Sequence, residues 1–212
     1  MRLRDSIAWI AFSLIVVPVA LAAGNVEKIR NEKVLVTEET LAAGETASWP
    51  GSHPSVLVTL TGDSAEIVPA HGEARKVKVK RGETMFLRAE ESKIKNDGAS
   101  TLRFVRIEFL TAGSEDTWGT TGLSPHYTMI VENKYVRAYD IKIPAQTFEP
   151  QHTHHARVVV CISGAELEHI LPDGTKQPST LKTGEIAWRP AATHIGHNMG
   201  HTDLWVIAVE PK

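Results

Sequence analysis

Cysteine is almost absent from this chain, since Cys161 is the single cysteine among 212 residues. One cysteine cannot form an internal disulfide. Cys161 lies within the apolar run 158–162. A free thiol in such a run behaves as a small hydrophobic side chain, so we expect it to be buried rather than reactive.

A long hydrophobic segment is also lacking. The apolar stretch 7–19 is shorter than the roughly 20 residues that a membrane-spanning helix needs. Arg2 and Arg4 precede this stretch and Ala20-Leu21-Ala22 follows it, a pattern typical of a secretory signal peptide that is cleaved after Ala22. The sequence therefore predicts a signal peptide at residues 1–22 and a periplasmic or secreted protein without stable membrane insertion.

The chain has no large excess of either charge. Removal of residues 1–22 takes away Arg2, Arg4 and Asp5, which changes the formal net charge from −2 to −3. A protein that binds nucleic acid through electrostatic attraction needs a strongly basic surface, so this balance argues against a nucleic-acid partner.

Sustained helical periodicity is missing after the signal peptide, and short β-branched runs between turn residues take its place. These runs repeat with an ungapped offset of 102 residues, which predicts two copies of one folding unit. The turn residues that match across the copies are Gly62 and Gly164, Gly72 and Gly174, Gly82 and Gly184, Asn96 and Asn198, and Gly98 and Gly200.

Many short strands at even spacing predict an all-β fold of two tandem units, each a sandwich or a barrel. The first would span residues 23–110 and the second residues 128–212. Residues 111–127 are rich in Gly, Ser and Thr and are predicted to be the linker. We expect Trp118 in this linker to pack on one barrel.

Histidines distinguish the second copy from the first. His152 and His154 are two residues apart, so in a strand both side chains project from one face. His194 could add a third imidazole from another strand, and imidazole nitrogen suits a divalent transition metal such as Fe, Mn, Zn or Ni. An alternative is that the three histidines are hydrogen-bonded residues of a metal-free pocket.

The first copy has Pro50, Ser52 and Ser92 where the offset places the three histidines. These residues cannot form a transition-metal site. We therefore expect the first copy to be structural, covering one side of the second barrel and blocking a sheet edge.

The second copy resembles the two sequence motifs of the cupin superfamily, and the repeat makes the whole chain similar to a bicupin. The resemblance implies two jelly-roll barrels and a metal at His152, His154 and His194. It also implies a small-molecule ligand and chemistry such as that of dioxygenases, decarboxylases, isomerases and lyases. The motif residues are His152, His154, Gly164, Gly184, Pro190, His194 and Asn198.

The chain departs from these motifs in one chemically important way, because the carboxylate ligand of the family is missing. Counting back from Gly164 places Arg157 at that position. The metal site would then have three histidines and open positions, or another carboxylate such as Glu149 would reach in, or the site would hold no metal.

The direction of Arg157 decides between these alternatives. Strict strand alternation from His154 predicts that Arg157 faces outward and Val158 inward, unless a bulge intervenes. An inward guanidinium would repel a cation but could bind a substrate carboxylate. Arg157 is therefore a candidate substrate-binding residue.

Other polar residues near the motifs have supporting roles in this interpretation. We expect His155 to face away from His154, at the rim or behind the ligands, and Asn198 to support the ligands. His197 and His201 would be exposed on the turn after His194. The remaining histidines have no partners in sequence and are interpreted as ordinary; they are His53, His71, His126 and His169.

Three functions remain open from the sequence. The first is an exported metal-dependent enzyme, for example of dioxygenase type, acting on a small anionic molecule. The second is a non-catalytic module that binds a small molecule. The third is an assembly protein that forms homo-oligomers through sheet edges.

Overall fold

The computed structural model describes residues 24–90, 92–115 and 124–212. The predicted signal peptide lies outside these residues, and so does Trp118. The regular structure of the described residues is entirely β-strand, which confirms the all-β prediction. Among these residues we find no helix with the length and hydropathy of a membrane span.

Eighteen strands are present in the described part of the chain. The first nine are β1 (Gly24–Arg30), β2 (Val34–Leu41), β3 (Thr46–Trp49), β4 (Ser55–Thr61), β5 (Ser64–Pro69), β6 (Arg75–Lys78), β7 (Thr84–Leu87), β8 (Ser92–Asn96) and β9 (Leu102–Phe109). The second nine are β10 (Tyr127–Glu132), β11 (Val136–Ile143), β12 (His152–His154), β13 (Arg157–Ser163), β14 (Ala165–Ile170), β15 (Lys176–Leu181), β16 (Ile186–Arg189), β17 (Ala192–Asn198) and β18 (Leu204–Pro211).

Each set of nine strands forms a five-stranded and a four-stranded antiparallel sheet. The first barrel has the strand orders β1-β2-β9-β4-β7 and β3-β8-β5-β6. The second has β10-β11-β18-β13-β16 and β12-β17-β14-β15. Adding nine to each strand number of the first barrel gives the order in the second, so the sequence repeat corresponds to a duplicated barrel.

The two five-stranded sheets pack face to face and share one hydrophobic core. Val56 and Val58 of β4 lie in this core with Val158 and Val160 of β13. Residues between them, such as Leu57, face the barrel interior instead. Strands β4 and β13 are therefore buried on both faces, which is why residues 56–58 and 158–162 are continuously apolar rather than alternating.

This packing confirms that the first barrel covers one side of the second. The free face of the second barrel's sheet β12-β17-β14-β15 lies on the far side from this shared core. The interior of the second barrel forms a separate core that includes Val159, Leu167 and Val206. Cys161 belongs to it and is completely buried, as predicted.

Corresponding turns of the two barrels share a left-handed backbone. Gly44 has a φ of 82°, and Gln146, which is 102 residues later, has a φ of 59°. Gln146 is the one non-glycine residue with positive φ among those described. The turn geometry is thus kept in the second copy although its glycine is not, and the Gln146 amide donates to the carbonyls of Met199 and Gly200.

Candidate metal centre

The three predicted histidines meet inside the second barrel. His152 on β12 lies directly opposite His194 on β17 in the antiparallel ladder, and His154 projects from the same face of β12. The side chains of all three are buried. One nitrogen from each ring lies within 4.8 Å of the others, and this is the one such group of potential metal ligands in the described part of the chain.

The environment favours the neutral form of two of these imidazoles, those of His154 and His194. Burial, followed by the charge of Arg157, lowers the pKa of His154 far below its ordinary value. Burial and the neighbouring His169 lower the pKa of His194 to about 3. Neutral imidazole is the form that binds metals, so these two residues need lose no proton to do so at neutral pH.

Hydrogen bonding orients His152 as a ligand. Its Nδ1 lies 2.8 Å from the carbonyl oxygen of Pro150. Because a carbonyl can only accept, Nδ1 donates to it, and Nε2 is the nitrogen that faces the other imidazoles. A backbone carbonyl behind the ring is a common support for a metal-binding histidine. The Nε2 atoms of His152 and His154 lie 2.9 Å apart.

This separation fits a metal ion. Metal–imidazole bonds of about 2.0–2.1 Å place neighbouring nitrogen ligands about 2.9–3.4 Å apart in octahedral or tetrahedral geometry. Three buried imidazoles, whose nitrogens lie within 4.8 Å of one another, are a donor set that suits a divalent transition metal, which His152, His154 and His194 would hold.

Arg157 faces inward, so the prediction that it faces outward is wrong. Its side chain is buried, 9% exposed, and lines the same cavity as His154 and His194. The chain leaves one sheet at His154 and enters the other at Arg157. Strand alternation does not continue through residues 155 and 156, so counting from His154 fails. On β13 itself, Arg157 shares the inward face with Val159, and Val158 points toward the other barrel.

Arg157 is only loosely held by the protein. One guanidinium nitrogen lies 3.4 Å from the carbonyl oxygens of His155 and Pro190, a long distance for a hydrogen bond. A buried guanidinium with weak partners has donors available for an anion. A role of Arg157 in substrate binding stays a prediction.

Tyr127 is a site residue that sequence reasoning missed. Its hydroxyl lies 3.2 Å from Nε2 of both His152 and His154. Burial, and then the charge of Glu149, raises the pKa of Tyr127 well above its ordinary value. Tyr127 is the last residue of the predicted linker and lies 25 residues before His152, so no local spacing indicated its role. Strand β10 pairs with β11 and carries Tyr127 into the barrel.

Glu149 is a second polar group of the cavity. Its side chain is 4% exposed, and Oε1 has no hydrogen-bond partner among the described residues. Its Oε2 occupies space beside Gly196, where a Cβ atom would come within 2.5 Å of it. Glu149 lines the cavity but does not belong to the close group of metal-binding atoms.

Comparison with known proteins shows the fold. No family model and no curated protein matches the sequence. AerE from Microcystis aeruginosa matches with a TM-score of 0.64 at 14% identity, over 90% of this chain and 97% of that one. A cupin 2 conserved barrel domain protein from Leptotrichia buccalis matches with a TM-score of 0.61 at 12% identity, over 93% of each chain.

Oxalate decarboxylase from Bacillus subtilis, which has Mn(II) centres, matches with a TM-score of 0.61 at 12% identity. The match covers 84% of this chain and 69% of that chain. The fold of this chain is therefore similar to that of a bicupin, with two cupin-type barrels in tandem. At such identities the matches establish the architecture, and the chemistry must be argued from the side chains.

Large side chains fill the interior of the first barrel at the place where the second barrel has its cavity. Trp49 lies opposite Ser92 as His152 lies opposite His194, so Trp49 occupies the position of a metal ligand. The offset had aligned His152 with Pro50, one residue too far. Arg106 stacks over the Trp49 ring, which also donates a hydrogen bond to Glu39.

The second barrel has small side chains at the corresponding places. Ala208 stands where the first barrel has Arg106, and Val206 where it has Phe104. A cavity of about 350 Å³ results. Its walls are apolar at Leu167 and similar residues, and its polar groups surround the histidines.

Asn198 does not support the imidazoles, contrary to prediction. Its amide donates to backbone carbonyls, those of Ile143, Pro144 and Thr202, and its oxygen accepts from the Gly200 N–H. Asn96 makes the same kind of contacts in the first barrel, which lacks the three metal-site histidines. The turn geometry that the two barrels share, rather than the metal site, therefore explains why both barrels have asparagine at this position.

The other histidines divide into two groups. His201 is exposed, as predicted. His155, expected at the rim or behind the ligands, has an exposed side chain, and its backbone N–H donates to Glu210. His169 was interpreted as ordinary, but its ring lies 4.5 Å from that of His194 and it lines the cavity. His197 was expected to be exposed, but it is partly buried and stacks on Phe148 at 3.6 Å.

Proposed function

We propose that this chain is an exported, metal-dependent bicupin enzyme that acts on a small carboxylate. His152, His154 and His194 would hold a divalent transition metal in the second barrel. The observation that carries the proposal is that three imidazoles converge inside the second barrel, and that two of them, His154 and His194, line one cavity with the guanidinium of Arg157.

The cavity favours an anion for an electrostatic reason. Arg157 is permanently charged, and a planar guanidinium can bind a carboxylate through two hydrogen bonds. When bound, the metal would supply Lewis acidity or a site for dioxygen. Arg157 would orient the substrate carboxylate, and the apolar wall would limit the access of water to the substrate. Glu149 lines the cavity and could exchange a proton with a substrate.

The metal is tested by elemental analysis of the purified mature protein after reconstitution with Fe(II), Mn(II), Zn(II) or Ni(II). We expect one ion per chain in the wild type and loss of that ion in His154→Ala. His155→Ala is the matched control, because it removes an adjacent but exposed imidazole, and it should keep the metal. Substoichiometric metal in the reconstituted wild type would refute the proposal.

The anion is tested by calorimetry with oxalate and with larger mono- and dicarboxylates. A charge-assisted hydrogen bond contributes about 1.5–3 kcal/mol, so we expect Arg157→Gln to weaken binding about 10- to 100-fold. Arg103→Gln is the control, because this guanidinium pairs with Glu38 in the first barrel, away from the cavity. Equal losses in both variants would contradict a specific role for Arg157.

Turnover is tested by following oxygen consumption and carbon dioxide release, which separate dioxygenase-type oxidation from decarboxylation. Decarboxylation is included because it is the activity of the Bacillus subtilis neighbour. Full anion binding without turnover in the metal-loaded protein would instead support a non-catalytic module.

This second candidate, a metal-free binding module, is favoured by one observation. The charge of Arg157 lies in the same cavity as the imidazoles and opposes a cation there. Retention of anion affinity after complete removal of metal with a chelator would support it.

Export and self-association are further parts of the proposal. Residues 1–22 support export, and mass spectrometry of the periplasmic or secreted fraction would reveal cleavage after Ala22. The edge strands β6 and β15 support pairing of copies, which light scattering would detect.

A further inference from the structure

We propose that Tyr127 is a fourth protein ligand of the metal, bound through its phenolate oxygen. The proposal rests on the function proposed above, since it requires a metal at the three histidines. It replaces the carboxylate that the sequence lacks with an anionic ligand from a different strand.

The geometry of the donor atoms supports this assignment. The Tyr127 hydroxyl and the Nε2 atoms of His152 and His154 form a triangle with sides of 2.9, 3.2 and 3.2 Å. All three sides fall within the about 2.9–3.4 Å that separate neighbouring ligands of one metal ion. The hydroxyl oxygen therefore lies where a third ligand atom could bind the same metal ion as the two imidazole nitrogens.

The protein holds the tyrosine in this place. Tyr127 pairs with Ile141 in the ladder between β10 and β11, and its ring packs 5.9 Å from that of Tyr139. The rings of His152 and His154 lie 5.6 and 5.7 Å away. Contacts on several sides fix the ring, so the hydroxyl reaches the imidazoles without a change of the backbone.

The difference between the barrels is consistent with this role. The first-barrel counterpart of Tyr127 is Asn25, which is exposed. The counterparts of His152 and His194 in the first barrel are Trp49 and Ser92. The phenol is thus present in the barrel with the imidazoles and absent from the barrel without them.

Charge gives the chemical reason. Imidazole ligands carry no charge, so a divalent ion bound by three of them keeps a net charge of two. A phenolate ligand lowers this net charge by one, as a carboxylate would. On metal binding, the phenol O–H bond breaks, the oxygen–metal bond forms and the proton passes to solvent.

Visible absorption tests the proposal independently of activity. Phenolate bound to Cu(II) or Fe(III) gives a ligand-to-metal charge-transfer band, whereas imidazole alone gives none of this type. Mature chain is freed of metal with a chelator and titrated with Cu(II), and bound metal is measured in the same samples. Tyr127→Phe keeps the ring, and Tyr139→Phe is the matched control because it removes a buried phenol from the neighbouring strand.

We expect a visible band at one equivalent of metal in the wild type and in Tyr139→Phe, and its loss in Tyr127→Phe with the metal retained. Bound metal without a band, or a band unchanged in Tyr127→Phe, would overturn the role of Tyr127 and leave the proposed metal site standing. Absence of bound metal from the wild type would overturn both. A thermal melt of each variant confirms that it is folded.

Discussion

Glu210 allows a quantitative prediction about stability and pH. It lies on β18 near Arg157 and is 4% exposed. Burial raises the pKa of the Glu210 carboxyl from its ordinary 4.5 to about 7, although the charge of Arg157 and the N–H of His155 favour its ionised form. We expect Glu210→Gln to stabilise the protein above pH 7 and to leave its stability unchanged near pH 4.5.

The sign follows from proton binding. Between pH 4.5 and 7 the folded protein keeps a proton on Glu210 that the unfolded chain has lost, so stability falls as pH rises through this window. Each pKa unit is worth about 1.4 kcal/mol, which gives about 3 kcal/mol for the full effect. Glutamine resembles the protonated carboxyl and keeps an acceptor for the His155 N–H, so the variant should escape this loss.

Urea denaturation of the wild type and Glu210→Gln at pH 4.5, 6 and 8.5 measures the difference. The expected gain rises from near zero to about 3 kcal/mol across this range. Glu166→Gln, which removes an exposed carboxylate, should differ from the wild type by less than about 0.5 kcal/mol at each pH. A gain that is equal at all three pH values, or a loss at pH 8.5, would refute the reasoning.

Three further predictions concern packing and reactivity. Gln146→Gly should be about 1 kcal/mol more stable to urea than Gln146→Ala, because both lose the amide hydrogen bonds but only alanine keeps the left-handed strain; equal stability would contradict this. Gly196→Ala should cost about 1–3 kcal/mol through its contact with Glu149, and a double-mutant cycle should show recovery in Gly196→Ala/Glu149→Ala. Burial raises the pKa of the Cys161 thiol to about 11, so a thiol reagent at pH 8 should label it only after unfolding.

Several features of this protein could be predicted from its local sequence pattern. The offset of 102 residues predicted a duplicated barrel, and the two sets of sheets have the same strand order. The spacing of His152 and His154 predicted a shared face, because side chains in one strand alternate strictly. The apolar surroundings of Cys161 predicted its burial.

Residues at breaks in the strands were harder to predict. Arg157 follows a crossing between two sheets, where alternation restarts, so its direction depends on how the second sheet is placed. Trp49 is the first-barrel counterpart of His152, because each lies opposite the residue that corresponds to His194. The constant offset of 102 residues does not show this correspondence, because it aligns His152 with Pro50.

The sequence by itself determined the duplicated all-β architecture and the three histidines, because both depend on periodicity and spacing along one strand or one repeat. Only the tertiary structure placed Tyr127, Glu149 and Arg157 around those histidines. Their proximity comes from pairing and packing between strands that are distant in sequence, and no local pattern records which of those strands face the same cavity.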